Sequence, residues 1–404
     1  MAYFDNANST QVDERVIEVM LPYFREHYGT AGLELSHSQD VAAVTGMENA
    51  RKIIADSINA DPREIIFTSG ETESNNLATR GVARANKTTG KHIITSPIET
   101  QSVLKSCERL SNAGYEISFL DVDDVGLIDL KQLQEMIRED TVLVSVQHGN
   151  AEIGTLQPIG EIAKITHDAG VLFHTDATQT YMKVPIDTQK TPVDLITVDA
   201  HHIHGPKGVG ALFIRRKTRI DRLHEGGDEE RRLRPGVENI PAIVGFGKAV
   251  EIWGTDDVKH LEELRSYITK KAHESLSDIR LTGHQENRVP GLFSMLVEFI
   301  EGESMLVQLD MFGYSVSTGS ACSSKTLQGS HVLKAIGLPP ELSHGSLRVS
   351  FSRFNTKEEV DGFIDTLVPG VERLREFSPI RHGEYFANTE DEDNHHHDIP
   401  EDDW

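Results

Sequence analysis

The sequence predicts an α/β protein, a large domain built on a mainly parallel sheet followed by a smaller α+β domain. Two observations carry that expectation. Through the first two-thirds of the chain, short apolar β-branched runs alternate with stretches of helical spacing. That alternation is the mark of strands joined by crossover helices in a sheet covered on both faces. After about Trp253 it gives way to one long helical stretch, a few strands and a closing helix.

Taken in order, Ile65-Ile66-Phe67, His92-Ile93-Ile94, Ile117-Ser118-Phe119, Val142-Leu143-Val144, Val171-Leu172-Phe173 and Leu195-Ile196-Thr197 read as buried strands. Leu130–Ile137 and Ile159–Asp168 carry helical spacing between them. Further on, His260 to Leu276 is helical, and Ile279–Leu281, Gly291–Glu298 and Ser346–Ser352 read as strands, with a loop at Ser317–Ser324. Thr356-Lys357-Glu358-Glu359 is a capping box that opens a last helix toward Phe377. The expected division is a large domain over residues 14–255, a small domain from residues 1–13 and 256–380, and a tail over 381–404. From Ala387 to Trp404 the tail is acidic and polar, with little to bury, and reads as disordered. Its His395-His396-His397 run reads as a solvated low-complexity stretch rather than a metal site.

A chain of 404 residues with 38% hydrophobic and 26% charged residues has room for two domains and a sizeable core. There is no apolar run of membrane-spanning length and no secretion signal. Two cysteines, Cys107 and Cys322, suit a reducing cytoplasm rather than a disulfide framework. A net charge of −24 argues against nucleic acid as a partner. In parallel sheets, ligands gather at the carboxyl ends of strands. That rule places Ser69–Thr72, His148–Glu152, Asp176–Gln179 and Asp199–His202 around one cleft.

Six segments then point to one family. They are Ser69-Gly70-Glu71-Thr72-Glu73-Ser74-Asn75-Asn76, Gln147 to Thr155, Asp176-Ala177-Thr178-Gln179, Asp199 to Gly208, Ser317 to Ser324 and Ser346-Leu347-Arg348-Val349-Ser350. In this order and spacing the chain resembles the cysteine desulfurases of the NifS/IscS group, a homodimeric fold type I family that uses pyridoxal phosphate. The resemblance covers the chain to about residue 380. It implies a phosphate contact at Thr72 and His201, a partner for the pyridine nitrogen at Asp176, and a donor to the phenolic oxygen at Gln179. It also implies a fork for the substrate carboxylate at Arg348 and a sulfur-accepting nucleophile at Cys322. The competing reading of Asp176, Thr72 and Gln179 is that of satisfied polar groups at strand ends.

Other positions depart from the family pattern. The lysine that forms the Schiff base is His202 here, and an imidazole has no primary amine. The family's phosphate-loop Ala is Glu71 and its anchor-turn Ser is Asp199. Its phosphate-reaching Thr is Val237, its ring-stacking His is Thr100, and its second Asn under the ring is Ala151. The early Gly-Asn-Pro-Ser-Ser loop has become Gly29-Thr30-Ala31-Gly32. Lys207, five residues past His202, is expected to point elsewhere. Each carboxylate near 4 Å from a phosphate repels it by roughly 4 kcal/mol per unit charge pair. Glu71 and Asp199 together would then cancel most of a micromolar affinity, about 8 kcal/mol.

The resulting expectation is a family member that binds no pyridoxal phosphate and supports iron–sulfur cluster assembly as the dimeric partner of a U-type scaffold. Cys322 would accept sulfur or act as the fourth thiolate of a cluster shared with that scaffold. A second reading is an active desulfurase that yields alanine and a Cys322 persulfide, with His202 shuttling the proton. A third makes the cavity a metal site formed by His201, His202, Asp176, Asp199 or Glu71.

Overall fold

The structure is a computed structural model that describes residues 1–31, 37–319 and 329–378. Cys322, Gly32, most of the Ser317–Ser324 loop and the whole acidic tail therefore lie outside the described residues.

A seven-stranded sheet forms the centre of the larger half. Its strands are β1 (Ile65–Thr68), β2 (His92–Thr95), β3 (Glu116–Phe119), β4 (Thr141–Ser145), β5 (Leu172–Asp176), β6 (Leu195–Asp199) and β7 (Gly210–Ile214). Their spatial order is β1-β7-β6-β5-β4-β2-β3. The neighbours from β6 to β3 are parallel, whereas β7 runs antiparallel to both β6 and β1. All six strand runs named from the sequence are present. Strands β1, β2, β4, β6 and β7 are buried along their whole length, as continuous Ile, Val and Leu runs covered on both faces should be.

The smaller sheet has β8 (Ile279–Leu281), β9 (Leu292–Val297) and β10 (Ser346–Ser350), all antiparallel with β9 in the middle. Two 21-residue helices, α1 (Thr255–Ser275) and α2 (Lys357–Phe377), pack beside it. The predicted capping box is formed: Thr356 Oγ1 accepts from the Glu359 N–H at 3.2 Å, and Glu359 reaches back to the Thr356 N–H at 3.0 Å. The N-terminal strand Ala2–Tyr3 pairs in parallel with Tyr314–Ser315. Phe4, fully buried, is wedged among Phe351, Phe363 and Tyr314. The chain then crosses to the large sheet, where Thr10 Oγ1 donates to the His201 carbonyl at 2.7 Å. One short segment thus ties the small sheet to the turn that follows β6.

Among the described residues, no helix is long and apolar enough to cross a membrane.

Candidate active site

The turn between β6 and β7 reverses the chain, so everything on it faces the carboxyl edge of the sheet. Asp199 ends β6 and is completely buried. A single 3-10 turn, His201–Ile203, follows, and His204 closes it in the left-handed region at φ 64°. That compact loop folds two adjacent imidazoles onto one carboxylate. His202 Nδ1 lies 2.9 Å from both Asp199 oxygens, and His201 Nδ1 lies 3.0 Å from Oδ2. Burial by itself would raise the Asp199 pKa, but the two imidazoles hold the carboxyl well below its usual range. The other ring nitrogen of His202 is 3.0 Å from Gln179 Nε2 and 3.0 Å from the Ala7 carbonyl oxygen. Gln179 Nε2 also donates to that carbonyl, at 3.0 Å.

Asp176, at the end of β5, is also buried. Asn75 Nδ2 donates to its Oδ2 at 2.6 Å, and the Thr178 N–H and hydroxyl donate to Oδ1 at 3.0 and 2.8 Å. Burial raises its pKa and these donors oppose the rise, leaving it above the ordinary value. Glu71 turns inward beside it and accepts from Ser102 Oγ at 2.9 Å. Burial first, and then the charges of Asp176 and Asp199, push Glu71 up to about 8. Glu99, which accepts from Ser96 Oγ at 2.6 Å and from the Gln147 N–H at 3.0 Å, is likewise raised to about 8 by burial. Thr100 Oγ1 joins this cluster 2.9 Å from Ser102 Oγ.

Thr72 is exposed and borders a cavity of about 900 Å³ that is also lined by Ser69, Arg80, His224, Arg234 and Val237. Arg348 approaches from β10, where its Nη2 meets Asp5 Oδ1 at 2.9 Å and its Nη1 donates to the Ala151 carbonyl at 3.0 Å. Lys207 is exposed and borders a separate pocket with Met1 and Phe354.

The structure therefore brings Asp176, Gln179, His201, His202 and Asp199 together and sets Glu71 against Asp176. Of the five residues named as possible metal ligands, Asp199, His201 and His202 converge, with ligand atoms within 4.8 Å of one another. Asp176 and Glu71 stay outside that group among the described residues. Sequence reasoning missed Asn75 and Ser102, which hold the carboxyls of Asp176 and Glu71, and the buried carboxyl of Glu99. It also missed Lys183, four residues past Gln179, whose ammonium is pulled down to about 8 by burial against the charge of Asp199. No local pattern in the sequence marked it.

The Aminotransferase class-V family profile matches residues 2–363. The chain is 46% identical to cysteine desulfurase IscS 1 of Archaeoglobus fulgidus, covering 94% of this chain and 99% of that protein. It is 43% identical to the IscS of Methanosarcina thermophila, with 95% of each chain covered. It is 42% identical to the human cysteine desulfurase, with 94% and 83% covered. A solved NifS-like protein superposes with a TM-score of 0.86 at 35% identity, covering 92% of this chain and 100% of the other. The predicted fold type I α/β architecture is thus the one observed.

These relatives overturn the expectation that the pocket takes no pyridoxal phosphate, because desulfurases of this group depend on it. The structure supplies the physical reason. Glu71, raised to about 8, is largely uncharged at neutral pH, and Asp199 is matched by two imidazoles. One of the two repelling charges counted from the sequence, that of Glu71, is therefore mostly absent, and the other, on Asp199, is turned toward the two imidazoles. The remaining groups suit the cofactor: Asp176 is a buried carboxylate that gains from a cationic ring nitrogen, and Arg80 and Arg234 border the cavity beside Thr72. By profile, identity and fold, the chain belongs to the cysteine desulfurases of the IscS/NifS group.

Proposed function

We propose that this protein is a cysteine desulfurase that supplies sulfur for iron–sulfur cluster assembly, acting as a homodimer and handing sulfur from Cys322 to a U-type scaffold. The observation that carries this reading is the buried Asp176 carboxylate, held by Asn75 and Thr178 beside the Gln179–His202–Asp199 chain of hydrogen bonds.

When bound, pyridoxal phosphate supplies the electron sink that the reaction requires. Asp176 would pair with its ring nitrogen, Thr72 and His201 would take the phosphate, and Gln179 would turn an amide N–H from the Ala7 carbonyl to the phenolic oxygen. Asp199 fixes the tautomer of His202 by accepting from Nδ1–H, so that Nε2 carries the lone pair and moves the proton. His202 offers no primary amine, so these residues would hold the cofactor without a covalent link at position 202. Arg348 receives the substrate carboxylate by exchanging Asp5 for it. Cys322 Sγ then attacks the substrate sulfur. The carbon–sulfur bond breaks, a sulfur–sulfur bond forms, and cysteine leaves as alanine while Cys322 becomes a persulfide.

The test is anaerobic incubation with pyridoxal phosphate and cysteine. Alanine and a Cys322 persulfide should appear one for one in the first turnover, and Cys322→Ala should abolish both. No alanine from the cofactor-treated protein would sink the reading.

His202 favours a second reading, because its two ring nitrogens are already engaged and neither is a primary amine. In this reading the protein docks the U-type scaffold and Cys322 ligates the growing cluster, with free sulfide as the sulfur source. Mixing the protein with scaffold, iron and sulfide under anaerobic conditions tests it. A cluster that forms equally well with Cys322→Ala would argue against it.

A further inference from the structure

We propose that Asp199, His201 and His202 form a site for a divalent first-row metal ion of the ferrous or zinc type. The site is that of the cofactor-free protein: the desulfurase reading uses the same atoms, His201 for the phosphate and His202 Nδ1–H for Asp199, so metal and cofactor compete for it.

The first argument is convergence. Adjacent residues in a 3-10 turn ordinarily send their side chains in different directions, yet the His201 and His202 rings lie 4.0 Å apart and both turn Nδ1 to one carboxylate. The nitrogen-to-oxygen distances are 2.9 Å and 3.0 Å. Two ligands each about 2.1 Å from a shared ion, at angles near 90°, lie roughly 3.0 Å apart. The donor set therefore has a spacing that an ion can occupy with little rearrangement. Two imidazoles and one carboxylate, with positions left open for water, suit borderline divalent ions.

The second argument is the far side of His202. A metal-bound imidazole must carry its proton on the other nitrogen, and that N–H needs an acceptor. His202 Nε2 has two neighbours of opposite character at 3.0 Å: the amide nitrogen of Gln179, a donor, and the carbonyl oxygen of Ala7, an acceptor. With Nδ1–H on Asp199, Nε2 accepts from Gln179. With a metal on Nδ1, the proton moves to Nε2 and donates to Ala7. The ring need not move between the two tautomers; the metal-bound one uses the Ala7 contact once the Gln179 amide turns its N–H away from Nε2–H.

The third argument is charge and access. Asp199 has no solvent exposure, and in so dry a setting a carboxylate gains most from a nearby cation. His201 keeps 23% of its side chain exposed, which gives an ion a way in and leaves open positions for water or an anionic oxygen.

The experiment uses the full chain with His395, His396 and His397 changed to Ala, stripped with a chelator and kept free of cofactor. Cobalt(II) is the probe, read by its visible absorption and by calorimetry, with zinc as competitor. One equivalent should bind, and zinc should displace it. Asp199→Asn, which keeps the shape of the side chain but removes its charge and one acceptor oxygen, and His201→Ala, at a partly exposed position, should each weaken binding roughly ten-fold or more. The thermal melt of each variant separates ligand loss from misfolding. No cobalt binding by the tail-substituted protein, or binding unchanged in both folded variants, would overturn the proposal.

Discussion

Glu71 holds its proton in the folded protein up to about pH 8, against an ordinary value of 4.5. Between those values the unfolded chain binds fewer protons than the folded one, so folding stability falls as pH rises through the window. The loss amounts to about 1.4 kcal/mol for each unit of pKa displacement. Glu71→Gln should flatten that decline, read as urea midpoints at pH 5 and pH 8. An unchanged slope would mean that Glu71 is not the group responsible. Glu99 has the same sign and stays in place, so part of the decline should persist. His202 gives a second prediction at this scale. His202→Lys puts a primary amine beside Asp199, so borohydride with pyridoxal phosphate should fix the cofactor to that variant. Mass spectrometry should find the parent protein untagged at position 202. The substitutions at 71, 199 and 202 were legible in the sequence, but their electrical meaning was not. A carboxyl's charge depends on what covers it, and Ser102 and Asp176 reach Glu71 only through the fold.

The elements beside the cavity depend on one buried ion pair. Arg51, on the helix Ser38–Ser57, forks onto Glu230 at 2.6 and 2.9 Å. Glu230 also accepts from the Phe67 N–H of β1 at 2.6 Å. To reach them the loop bends through three consecutive left-handed residues, Glu230, Arg231 and Arg232. Glu230→Ala should cost about 3–5 kcal/mol, because it strands a buried guanidinium. Chemical denaturation measures it, and a loss below about 1 kcal/mol would contradict the assigned role. Strands were the most legible elements, since runs such as Ile65–Phe67 and Val142–Val144 have no alternative to burial. β7 was not singled out. Its antiparallel return is set by the turn after Asp199 and by the closeness of Gly210 to Gly70, where an added Cβ would lie 2.7 Å from Gly70 Cα. No local pattern announces such an approach.

Over the whole molecule, Ile17, Leu21, Phe24 and Tyr28 leave large apolar side chains exposed along two consecutive short helices and the residues that join and follow them. The proposed homodimer gives that stripe a place to be buried. Sedimentation velocity should report a dimer, and Phe24→Asp should shift it toward monomer; a parent protein that sediments as a monomer would remove the dimer from the proposal.

The sequence by itself determined the alternating strands, the order of six site segments and hence the family, because each is a local pattern or a spacing. The tertiary structure decided what those segments do to one another: that Glu71 is neutralised, and that Asp199 is clasped by His201 and His202 rather than left to repel an anion. The reason is that protonation and hydrogen bonding depend on burial and on neighbours distant in the chain, such as Gln179 and Ala7, which the fold alone brings to 3.0 Å from His202 Nε2.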